Sequence, residues 1–219
     1  MEIAFRMPCA SKNSRLRVIM VLVIIMHVVF GGAFNPPTKA HLDVFYFLDH
    51  EIPMDTFTYL PVGKVYGKDE LESDAHRFTM LRRMTDHLSR AHVSRMELDD
   101  EAYKGTYQSL KRLQRDDEDL AFVIGADHLP SLHKWIHADR LLNEYRCLVL
   151  NRADTSLEDL ISEDPFLRRH KDSLTLFSNF KVDISSSAFR RTHDASLLVP
   201  AVHEYIKAHG LYGTQKKEG

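Results

Sequence analysis

Gly31-Gly32-Ala33-Phe34-Asn35-Pro36-Pro37-Thr38-Lys39-Ala40-His41 decides how the rest of this chain reads. The stretch follows an apolar run ending His27-Val28-Val29-Phe30 and leads into a helical pattern. Adjacent glycines let the backbone turn tightly and let a ligand approach it closely. A helix start presents N–H groups without intrahelical partners and the positive end of the helix dipole. Pro36 and Pro37 suit that entry, because proline lacks an N–H that would be unpaired there. Thr38 is placed to cap the helix, which sets His41 in its first turn, near the same anion site. Strand, glycine turn and a histidine at a helix entry together predict a place to hold phosphate.

Outward from this turn, apolar strand-like runs alternate with helical patterns. Met26–Phe30, Thr56–Pro61, Val93–Leu98, Leu120–Ile124 and Tyr145–Leu150 read as strands, and Leu174–Val182 as one or two more. Helices are expected over Lys39–Asp49, Asp74–Arg90, Tyr107–Arg115 and Leu129–Asn143, the last as one helix or a pair. Such alternation predicts an α/β fold: a Rossmann-like, doubly wound, mostly parallel sheet in three layers, α/β/α. In that topology the strand C-termini share one edge, where ligands bind. The glycine turn, Pro61, Gly125-Ala126-Asp127, Asn151-Arg152 and the segment from Ile184 would all lie there.

Length and composition bound the reading. A chain of 219 residues has ample length for one buried core. Its 29 Lys and Arg against 31 Asp and Glu show no basic excess that would point to nucleic acid. Cys9 and Cys147 supply no disulfide framework and no metal pattern, and read as free thiols of a reducing compartment. His133 and His137 stand four apart but lack a third ligand, so no metal site is expected. Arg15 and Arg17 before the apolar run Val18–Met26 resemble a signal peptide. The run is short for a bilayer span and rich in β-branched residues, and cutting after Ala33 would destroy the turn. The expectation is therefore a cytoplasmic protein without membrane attachment. Residues 1–25 read as an upstream extension or a mis-assigned start, 26–213 as the domain, and 214–219 as a polar tail.

The turn resembles the first signature of the nucleotidyltransferases that carry His/Thr-x-x-His after a G-x-F-D/N-P turn. It is more closely similar to the nicotinate (nicotinamide) mononucleotide adenylyltransferase family. Thr38 stands where bacterial members have His, and the Asn35/Thr38 pair looks like the eukaryotic form. Ile184-Ser185-Ser186-Ser187-Ala188-Phe189-Arg190 resembles the second signature, I-S-S-T-x-x-R. Phe122–Asp127 with Trp135, Pro61 with Lys68, and Pro200–Tyr212 resemble further family segments. Gly105-Thr106 departs: it keeps the family's Thr and lacks the aromatic residue before it.

The resemblance implies transfer of AMP from ATP to nicotinate mononucleotide, giving deamido-NAD and pyrophosphate, with Mg²⁺ accompanying ATP. His41, Thr38 and Arg190 are then expected at the reacting phosphates. Gly31, Gly32, Ala33, Phe34, Lys68, Ser186, Ser187 and Arg152 are expected around ATP and its phosphates. Asn35, Thr106, Gly125, Asp127 and Trp135 are expected around the mononucleotide. A carboxylate at Asp127 can accept ribose hydroxyls, and Trp135 offers an aromatic face for a pyridine or base. The expected partners are ATP and a pyridine mononucleotide, with no nucleic acid or membrane; a homo-oligomer stays open. Transfer to nicotinamide mononucleotide or pantetheine phosphate, and a nucleotide-binding paralogue without turnover, are the competing readings.

Overall fold

The computed structural model describes residues 26–64, 71–115, 119–151, 156–180 and 185–214. In chain order these form β1 (Met26–Gly32), α1 (Lys39–Glu51), β2 (Met54–Pro61), α2 (Asp74–Thr85), β3 (Ala91–Val93), α3 (Thr106–Leu113) and β4 (Asp119–Gly125). A 3-10 stretch, Ala126–Lys134, leads to α4 (Ala138–Glu144), β5 (Arg146–Leu150), α5 (Leu157–Glu163), α6 (Pro165–Arg169), β6 (Leu174–Phe177), α7 (Ser186–Thr192) and α8 (Pro200–His209).

The strands make a six-stranded sheet in the order β3-β2-β1-β4-β5-β6. Every pairing is parallel. This is the doubly wound order, in which the chain reverses direction across the sheet between β1 and β4. The alternating side chains of β1 feed both faces. Val28 and Phe30 join Val44 of α1, Met80 of α2, Phe189 of α7 and Ile206 of α8. Val29 joins Leu110 of α3, Leu141 of α4 and Leu157 of α5 on the other side. β-branched and aromatic residues suit a strand buried on both faces. Cys147 lies inside the sheet, where burial pushes its thiol up to about 12. Among the described residues no helix is long and apolar enough to cross a membrane.

Several expected boundaries move. The third strand is Ala91–Val93, not Val93–Leu98. Ser94 N–H still bonds Tyr59 O at 2.9 Å, but Asp99 N–H then closes a turn onto Arg95 O. The second helix stops at Thr85 rather than Arg90, with Leu88 N–H turned back to Thr85 O. The expected helix at Leu129–Asn143 is a 3-10 stretch followed by α4, and His137 between them is left-handed at φ 61°. His133 and His137 therefore do not share one regular helix face. Of Leu174–Val182, Leu174–Phe177 is strand, and 181–182 lie outside the described residues. The helices α5 and α6 were not anticipated, although Ser156 and Asp164 cap them with their side chains and Pro165 opens α6.

One side chain ties this frame to the turn after β1. Arg77 of α2 is wholly buried. Its guanidinium donates to Ala33 O at 2.7 Å, Val62 O at 2.6 Å and Glu72 O at 3.1 Å, and pairs with Asp74 at 2.5 Å. Backbone carbonyls buried without partners are costly, so these bonds fix where β1, β2 and α2 end relative to one another. Arg77→Met should lose about 3 kcal/mol or more of stability in urea unfolding, because several carbonyls lose their donor. A change below about 1 kcal/mol would remove Arg77 from this role.

Candidate active site

A cavity of about 390 Å³ opens at the C-terminal ends of β1, β2 and β4, at the switch point of the sheet. Gly31, Gly32, Ala33 and His41 line it from the first turn, and Gly125, Asp127 and Trp135 from the segment after β4. Thr106 joins from the start of α3. The structure thus brings these sequence-predicted residues into one space.

The turn itself is tightly determined. Phe34 is left-handed at φ 47°, a conformation that costs a bulky residue energy and must be held by its surroundings. Its ring supplies the hold: it is almost wholly buried, packed 5.4 Å from the Phe30 ring and 5.8 Å from that of Tyr59. The Asn35–Pro36 peptide is cis. Behind the turn, Arg190 of α7 donates to Asn35 O at 2.6 Å and Ser186 donates to Pro36 O at 2.8 Å. Asn35 Oδ1 accepts from Glu72 N–H at 3.1 Å and from Tyr212 O–H at 2.8 Å. The second signature therefore meets the first through backbone carbonyls, and the closing Leu-Tyr segment reaches it too. Burial raises the Tyr212 phenol well above its usual range, which keeps it a donor.

His41 is held by its own helix start. Thr38, the N-cap, donates its backbone N–H to His41 Nδ1 at 2.9 Å, and its hydroxyl lies 2.9 Å from the same nitrogen. This is a capping box with histidine in the place of the usual Glu or Gln. A ring nitrogen that accepts an N–H carries no proton, so the neutral ring is protonated on Nε2. That tautomer follows from hydrogen-bond geometry. Tyr59 O–H donates to His41 O at 3.0 Å, and the Phe34 ring stands edge-on at 5.0 Å from the imidazole. The result is one oriented N–H donor on the cavity wall.

Other expected residues sit elsewhere. Thr38 is 0 % exposed, and its hydroxyl turns to His41 rather than into the cavity. Phe34 and Asn35 point into the fold. Ser186 and Ser187 stand at the start of α7, beside the turn but not on the cavity wall; Ser187 is exposed and 3.0 Å from Ser185. Lys68 and Arg152 lie outside the described residues. The absent aromatic residue before Thr106 has a steric reason. Gly105 has φ 88°, and a Cβ there would stand 2.8 Å from Ile136 Cβ. Tyr103 lines the cavity instead, with its hydroxyl 3.4 Å from that of Thr106.

Glu97, Tyr103, His128, Lys134 and Ile136 also line the cavity and were missed. Glu97 falls within the expected strand Val93–Leu98, which turns away after Ser94, so its place on the cavity wall is not legible in the sequence. It is buried and accepts the Ser109 hydroxyl at 2.5 Å. Burial raises its carboxyl above the usual range, opposed by the Ser109 bond.

Sheet order, cavity and paired signatures are those of a nucleotidyltransferase. Residues 29–192 match the family model described as cytidylyltransferase-like. The chain is 34% identical over 190 residues to a protein of Acholeplasma laidlawii (strain PG-8A) named "Probable nicotinate-nucleotide adenylyltransferase", covering 85% of this chain and 97% of that one. A Staphylococcus haemolyticus (strain JCSC1435) protein of the same name is 27% identical over 194 residues, covering 84% and 95%. The chain belongs to the cytidylyltransferase-like family and, within it, to the nicotinate-nucleotide adenylyltransferases. The fold is shared with Plasmodium falciparum nicotinic acid mononucleotide adenylyltransferase complexed with NaAD, at a TM-score of 0.70 and 18% identity, over 87% of this chain and 98% of that one.

The Glu97 environment makes a pH prediction. Its folded pKa lies above the unfolded value of about 4.3, so the folded state holds this proton more tightly. The penalty is absent below that value and grows as pH rises through the folded pKa. Glu97→Gln keeps an acceptor for Ser109 and removes the charge. The Tm of Glu97→Gln relative to the unsubstituted protein should therefore be higher at pH 8 than at pH 4. A Tm difference independent of pH would contradict this.

Proposed function

We propose that this chain transfers AMP from ATP to nicotinate mononucleotide, giving deamido-NAD and pyrophosphate. The observation that carries the reading is the oriented His41 donor in the same cavity as Asp127 and Trp135. The relatives' names and the neighbour's complex with NaAD support it.

The mononucleotide phosphate is already ionised at neutral pH, so its oxygen needs no general base. It attacks the α-phosphorus, and the bond from that phosphorus to the bridging oxygen of pyrophosphate breaks. Catalysis then rests on placing the two phosphates and offsetting charge as it moves onto the leaving group. His41 Nε2–H donates to an α-phosphate oxygen. Thr38 acts through His41, holding its tautomer. Arg190 spends one N–H on Asn35 O, and its fork has others to offer the leaving pyrophosphate. Gly31, Gly32 and Ala33 let the triphosphate approach the backbone. Ser186 and Ser187 at the α7 start, with Lys68 and Arg152, are assigned to phosphate. Mg²⁺ would enter with ATP as part of that substrate, held through phosphate oxygens and water.

On the mononucleotide side, Asp127 accepts ribose hydroxyls beside Gly125 and Thr106. The half-buried Trp135, its ring 6.3 Å from that of Phe122, presents a face to the pyridine. Asn35 and Phe34 serve this subsite by holding the turn.

Pyrophosphate release with MgATP and nicotinate mononucleotide tests the proposal, with nicotinamide mononucleotide and phosphopantetheine as comparison acceptors. Turnover with a pyridine mononucleotide is expected; none, despite measurable ATP binding, would sink it. His41→Ala should lower kcat by roughly two to four orders of magnitude, the scale of a lost transition-state donor. A loss under about threefold would remove His41 from its role.

A further inference from the structure

Trp135 is the only tryptophan of the chain, and the residue before it, Lys134, lines the same cavity. Lys134 is the one lysine or arginine among the described lining residues. The other charged groups there are accounted for. Glu97 is buried against Ser109, and Asp127 stands 3.7 Å from His128. Lys134 is exposed and enters no hydrogen bond or ion pair among the described residues. A cation on a ligand cavity that the fold does not use is available to the ligand.

Its place indicates which part of the ligand. The phosphates must gather at the first turn, where His41 and the glycines are. The pyridine must then lie toward the segment after β4, which carries Trp135. Lys134 closes the 3-10 stretch there, and Trp135 N–H bonds Leu132 O at 3.0 Å in the same turn. Nicotinate and nicotinamide differ by one negative charge on the ring substituent. Glu97 and Asp127 disfavour an added anion; a lysine at the ring end reverses that.

We propose that Lys134 selects the acid over the amide, its ammonium donating to the pyridine carboxylate of nicotinate mononucleotide. The assignment rests on the adenylyl-transfer reading above. It makes Lys134 a specificity residue and not part of the phosphate chemistry. A charge-assisted hydrogen bond of this kind supports discrimination of about tenfold or more.

The lone tryptophan allows a test that does not depend on turnover. Binding of nicotinate and nicotinamide mononucleotides is followed by Trp135 fluorescence in the unsubstituted protein, Lys134→Met and Lys134→Arg. Pyrophosphate release is measured on the same samples. Lys134→Met should weaken nicotinate mononucleotide about tenfold or more and change nicotinamide mononucleotide less than about twofold, while Lys134→Arg restores most of the preference. Equal weakening of both ligands would place Lys134 at the shared phosphate and overturn the proposal, as would no change in either. A protein that still releases pyrophosphate while its preference survives Lys134→Met overturns this assignment alone and leaves the reaction standing.

Discussion

A guanidinium without access to water holds the working turn of this protein in place. Arg77 binds the carbonyls of Ala33, Val62 and Glu72 at once, so the ends of β1 and β2 and the start of α2 cannot shift independently. The rest of the site depends on that constraint. With Ala33 O held by Arg77, Asn35 O by Arg190 and Pro36 O by Ser186, the turn is bonded at three of its carbonyls. Phe34 can then remain left-handed, and its ring can press on His41. Buried polar networks of this kind matter because each member, left unpaired, would cost more than its bond contributes.

The same economy appears at the helix start. A capping box ordinarily satisfies two backbone donors with two side chains. Here the residue that closes the box also lines the cavity, so capping and orientation are one interaction. Thr38 is the N-cap of α1. Its work is done from inside, where it is fully buried beside Nδ1. Its hydroxyl is bonded to His41 and does not reach the cavity wall.

Much of this is legible in the sequence alone. The alternation of apolar runs foretold the layered α/β fold, and the topology put the turn, Gly125–Asp127 and the second signature on one edge. These are local patterns, and local patterns survive in a sequence. The partners of Arg77 were not legible, since Ala33 is 44 residues away and only the folded sheet brings them together. The third strand was misplaced because Val93–Leu98 looks like a strand yet turns after Ser94, and with it Glu97 and Tyr103 were lost from the expected site. The helices α5 and α6 were missed although their caps are visible, because each is short enough for its apolar face to show little period. The segment before Thr106 departs from the family pattern in lacking an aromatic residue; Ile136 stands over Gly105, and Tyr103 lines the cavity wall.

A single protonation pattern underlies the proposed role of His41: Nδ1 bare and Nε2 protonated. Nitrogen-15 NMR of the histidine side chains, with His41 assigned by substitution, reads this directly near neutral pH. The expected result is one neutral tautomer, with the proton on Nε2 and a pyridine-type Nδ1, and with the Nε2 signal moving when MgATP is added. A proton on Nδ1, or rapid exchange between both tautomers, would contradict it.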